Sequence, residues 1–127
     1  MVDIGEIWAT ALHGVLTALV SGWGFAEDRF TNSAGKAGNI VYANLFLDAL
    51  KLQPCNPTSA FFSFFKCPLH TELTCAIVPP AREAWIQADE NRYGGEHKCA
   101  LWKAFADRGL GVGADNHVDS LKIPSGC

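Results

Sequence analysis

The chain has no surplus of positive charge. Its 10 Lys and Arg stand against 13 Asp and Glu, a formal net charge of -3. The basic footprint that a nucleic-acid backbone requires is therefore missing. No apolar run is long enough to span a membrane. Near Met1 stand Asp3 and Glu6, with no basic stretch leading into an apolar one, so no signal peptide is expected. Charged residues make up only 18% of the chain and hydrophobic ones 49%, which excludes a disordered polymer. H-E-x-x-H, G-x-S-x-G and a phosphate-binding glycine loop are all absent. "GLGVGA", 109–114, has the glycines of a dinucleotide fingerprint, but it follows a helical pattern where that fingerprint needs a strand.

What is present is helical periodicity. Across 127 residues, enough for one domain with a modest core, four segments carry it. In residues 3–21, Ile4, Trp8, Ala11, Leu12, Val15, Leu16 and Leu19 recur at spacings of three and four. Asp3 is placed to cap that helix, Glu6 completes a capping box, and Gly22 and Gly24 end it. His13 falls beside the stripe as a boundary residue with no nearby ligand partner. Residues 39–52 form a second helix, with Ile40, Ala43, Leu47 and Leu50 as its stripe and Val41 and Leu45 widening it, so a central position is expected. Residues 80–95 form a third, started by Pro80 and stopped by Gly94 and Gly95, with Ala81, Ala84, Trp85 and Ala88 on a close-packing face. The fourth lies in 96–111, with Cys99, Trp102, Phe105 and Ala106 inward and Gly109 as its stop. Residues 110–127 read as loop. The expected fold class is all-α, about four helices with irregular connections. Asp48 and Asp89 lie on separate helices and are read as solvated or capping carboxylates, unpaired for acid–base work.

Five cysteines are an odd number. Cys127, after "IPSG", reads more readily as a disulfide partner than as a free thiol, which points to an oxidising compartment. "CPLHTELTC", 67–75, gathers Cys67, His70, Glu72 and Cys75. All four can bind zinc, but structural zinc sites usually join two ligand pairs across a dozen or more residues so that the chain encloses the ion. Four candidates crowded around Pro68 close a tetrahedron poorly, and no metal is expected there.

"DIGEIWATALHGVLTALV", "NLFLDALKLQPCNPT", "AREAWIQADENRYGGEHKCALWKAFADRGLGVGA" and "IPSGC" resemble, in order, the C-terminal region of the fungalysins, secreted thermolysin-like zinc metalloendopeptidases of fungi. The resemblance runs over nearly the whole chain. It implies a C-terminal helical lobe, an extracellular setting, zinc in the full-length enzyme and protein or peptide substrates there. It also implies that the zinc ligands and general base lie upstream, in a zinc-binding lobe that this chain lacks. The family's "VH-x-IG-x-x-W" carries a histidine thought to stabilise the tetrahedral intermediate, and Val2, which cannot donate a hydrogen bond, stands in its place. No catalytic, metal or cofactor-binding residue is therefore expected in this chain. In isolation it is expected to bind no zinc and hydrolyse no peptide.

In the fungalysins a few residues separate "CNPT" from "AR-x-AW"; here 59–80 intervene. Residues 59–78 have the character of a translated intron. Ser59-Ala60-Phe61 can encode a splice donor, Leu73-Thr74 a branch site and Ile77-Val78 an acceptor, and the phenylalanines of "FFSFF" would follow from T-rich sequence. Residues 1–127 are thus expected to be one partial domain with a non-native insertion at 59–78, poorly packed and irregular. The first helix is expected to expose an apolar patch at Ile7, Ala11 and Val15, left without its upstream partner. A second reading, from another class, is a small cysteine-containing helical binding module without catalysis.

Overall fold

The computed structural model describes residues 4–53, 81–114 and 118–127. Asp3, Val2, Pro80, Cys55, the "CPLHTELTC" cluster and the 59–78 interval lie outside these residues. Four helices are present: α1 (Ile4–Trp23), α2 (Gly38–Leu52), α3 (Ala81–Tyr93) and α4 (Lys98–Ala106). No strand forms among the described residues; one isolated parallel bridge joins Leu110 to Ser120. The all-α expectation holds, with each helix within a few residues of its sequence-based bounds.

The ends are set by local chemistry. α1 runs through Gly22 to Trp23 and stops at Gly24, whose φ of 79° is the left-handed conformation that glycine adopts freely. Gly24 N–H closes the last turn on Val20 O at 2.8 Å. α4 ends in a Schellman-type closure: Leu110 N–H donates to Phe105 O and Gly109 N–H to Ala106 O, both at 2.9 Å.

The helices pack as a ring, α1 on α2, α2 on α3, α3 on α4 and α4 on α1. The core lies inside that ring. α1 contributes Ala11, Leu12, Val15 and Leu19; α2 Val41, Leu45 and Ala49; α3 Ala84, Trp85 and Ala88; α4 Leu101, Trp102 and Phe105. Trp8 stacks on Phe105 with ring centroids 5.9 Å apart, and Tyr42 tilts against Trp85 at 5.3 Å. α1 and α2 approach so closely that a Cβ on Gly38 would lie 2.1 Å from Leu19 O.

Two expectations about faces are corrected. Ala11 and Val15 are fully buried and Ile7 is half-buried, so the expected bare patch on α1 is not there; α2 and α4 pack on this helix. On α2 the roles of the two faces are exchanged. Val41, Leu45 and Ala49 turn inward with Ile40, while Ala43, Leu47 and Leu50 of the expected stripe are exposed. Phe46, Leu47, Leu50 and Leu52 make an exposed apolar face on α2.

Candidate functional site

The one buried carboxylate–imidazole pair among the described residues lies where three helix ends meet. Gly94 (φ 63°) and Gly95 (φ 81°) turn the chain sharply after α3 and return it to begin α4 at His97. That turn brings His97 beside Asp89, eight residues back on α3. His97 N–H donates to Asp89 Oδ2 at 3.0 Å, and Nδ1 lies 2.7 Å from Oδ1. A carboxylate only accepts, so Nδ1 carries the proton. Both side chains are almost wholly enclosed. Trp23, at the end of α1, packs on the imidazole at 4.6 Å and Tyr93 meets it edge-on at 4.9 Å. Asn44 Nδ2 on α2 donates to Tyr93 Oη at 3.0 Å and to Ser33 O at 2.9 Å, tying in the α1–α2 loop.

Asp89 is thus neither solvated nor only a cap, which corrects the sequence reading, and His97 was not singled out there. The signal was legible. Asp89 lies four residues after Trp85, on the small-residue face of α3, and a carboxylate on a buried face demands a partner. His97 lies two residues beyond the Gly-Gly turn. Asp48 differs: it is partly exposed and pairs with Lys51 at 3.3 Å and Arg92 at 2.5 Å. Its hydrogen bond from Arg92 holds its carboxyl below the usual range, against a smaller opposing effect of burial.

A buried arginine organises the end of α4. Arg82 donates through one terminal nitrogen to Leu110 O at 2.9 Å and Gly111 O at 2.7 Å. Its other nitrogens reach Glu83, and its guanidinium lies 4.8 Å over the Trp102 ring. Arg82 therefore fixes the start of the C-terminal segment from the helix side.

Neither constellation can do hydrolytic chemistry. The Asp89–His97 imidazole is closed to substrate. It sits beside Trp23, at the C-terminal end of α1. The pair does not fit zinc either. It supplies two donors already bonded to each other, and no third His, Cys, Asp or Glu joins them among the described residues. His13 is exposed on α1, outside any such group. No described helix is long and apolar enough to cross a membrane.

Fold and site together define a helical lobe whose buried polar groups hold its turns. The chain belongs to the fungalysin metallopeptidase family, whose model matches residues 1–63 and 72–114. The match is interrupted at 64–71, within the 59–78 interval. The chain is 38% identical, over 97% of its length, to the extracellular metalloproteinase MEP of Pyricularia oryzae. It is 36% identical to extracellular metalloproteinase 2 of Arthroderma gypseum and 35% identical to extracellular metalloproteinase 9 of Uncinocarpus reesii, each over 98% of its length. It spans 18% of the length of each of these relatives, and corresponds to their C-terminal part.

Proposed function

We propose that this chain is the C-terminal helical lobe of a secreted zinc endopeptidase and has no peptidase activity alone. The observation that carries the reading is the family match along both flanks of 64–71, onto 18% of proteins named extracellular metalloproteinases. In that assembly the chain supplies packed helices that form part of the substrate cleft wall and support the zinc-bearing lobe, while the ligands and the general base come from elsewhere. Protein or peptide substrates and an extracellular location belong to that complete enzyme. On this reading residues 59–78 are a non-native insertion; the family match leaves out 64–71 and includes 59–63 and 72–78, so it supports the reading for 64–71 alone. The Cys67, His70, Glu72 and Cys75 cluster is then incidental to function.

Metal analysis of the reduced, purified chain tests this, together with a peptidase assay on a generic protein substrate. The expected result is no stoichiometric zinc and no hydrolysis. One equivalent of zinc, lost when Cys67 and Cys75 are both changed to Ser, would overturn it, as would zinc-dependent cleavage by the chain itself.

A further inference from the structure

We propose that the Cys99–Cys127 disulfide is a redox-cleavable clasp. When a dithiol reductant opens it, the tail at 118–127 is released while the four-helix core stays folded. The bridge joins the second residue of α4 to the last residue of the chain, across a sequence separation of 28. Both cysteines are half-buried, within reach of a small thiol.

Among the described residues, the tail's other ties are hydrogen bonds to 109–112. Val118 and Leu121 are 65% and 74% exposed. Gly111 N–H donates to Ser120 O and Val112 N–H to Lys122 O, both at 2.7 Å, and Ser120 N–H donates to Gly109 O at 2.8 Å. Ser120 Oγ donates to Val112 O at 2.6 Å. Beyond Lys122 the described backbone hydrogen bond is local, Cys127 N–H to Pro124 O at 3.1 Å. A segment with exposed hydrogen bonds and little buried apolar surface opens at low free energy unless it is tethered. Release should stop before Ala114, because Arg82 holds Leu110 and Gly111 from the opposite side without using the tail.

The exchange balances as follows. A thiolate of the dithiol attacks the Cys127 sulfur, forms a mixed disulfide and breaks the Cys99–Cys127 bond. Cys99 leaves as the thiolate, favoured by its place in the first turn of α4, where the helix dipole stabilises negative charge. The second thiol of the reductant then displaces Cys127. Two electrons and two protons pass to the two cysteines, and the reductant becomes its own disulfide.

Hydrogen exchange on the full chain, with and without dithiothreitol, tests the clasp. Reduction is expected to speed exchange at 118–127, Gly111 and Val112 by about tenfold or more, with Val15 and Phe105 unchanged. The double variant Cys99→Ser, Cys127→Ser without reductant should reproduce this, which separates the bridge from Cys55, Cys67 and Cys75. Unchanged tail exchange would overturn the proposal. So would loss of protection throughout the helices, or a double variant that behaves like the oxidised chain.

Discussion

Asp89→Ala is the sharpest perturbation of this fold. The substitution removes the acceptors of two His97 donors, the backbone N–H at 3.0 Å and Nδ1–H at 2.7 Å, in a buried place. Leaving a buried donor unsatisfied costs about 1–3 kcal/mol, and two donors of His97 are orphaned here. A domain of this size has about 5–15 kcal/mol in total, so the variant should lie close to unfolding. Asp89→Asn keeps the shape and one acceptor while setting an amide donor against a donor, so an intermediate loss of about 1–3 kcal/mol is expected. The double variant Asp89→Ala, His97→Ala should lose less than the sum of the two single changes, because the second removes the groups that the first orphaned. Urea unfolding followed by far-ultraviolet circular dichroism measures wild type, Asp89→Ala, Asp89→Asn, His97→Ala and the double variant, with midpoint shifts at constant slope read as stability. A loss below about 1 kcal/mol for Asp89→Ala, or strict additivity in the double variant, would refute the assignment of the pair as the lock of the α3–α4 turn.

Three further outcomes are expected. Asp48→Asn should cost no more than about 1 kcal/mol at neutral pH, because its pair with Arg92 is partly open to solvent. Asp48 has a lowered folded-state pKa, so its contribution is present above the ordinary carboxylate value of 3.8 and is lost as the pH falls through the folded value; wild type and variant should converge in acid melts. Gly38→Ala places a Cβ 2.1 Å from Leu19 O, so the α1–α2 contact must part, and thermal melting should show a loss of about 1–3 kcal/mol. Leu47→Lys with Leu50→Lys should change stability by less than about 0.5 kcal/mol per site, since both side chains are more than half exposed. Light scattering should show less self-association of that variant; a large stability loss would show that the α2 face is covered.

Four helices, and roughly where each stops, were legible in the order of the residues alone. Periodicity and the glycines at 24, 94, 95 and 109 are local signals that act on the backbone whatever surrounds it. The family was legible there too, because long ordered blocks such as "LQPCNPT" and "WKAFADRGLGVGA" are specific in themselves. The inward face of α2 was left to the tertiary structure. That helix is apolar around most of its surface, and Val41, Leu45 and Ala49 turn inward because Gly38 lets α2 press against α1 at Leu19. On α1, the breadth of the stripe suggested a missing partner, but α2 and α4 together cover Ala11 and Val15. Among five cysteines, parity left the pairing open; folding selects Cys99 for Cys127 by bringing their Cα atoms to 5.2 Å. Asp89 could be read as an ordinary helix carboxylate until the turn at Gly94 and Gly95 placed His97 against it, because burial and pairing are properties of the packed chain.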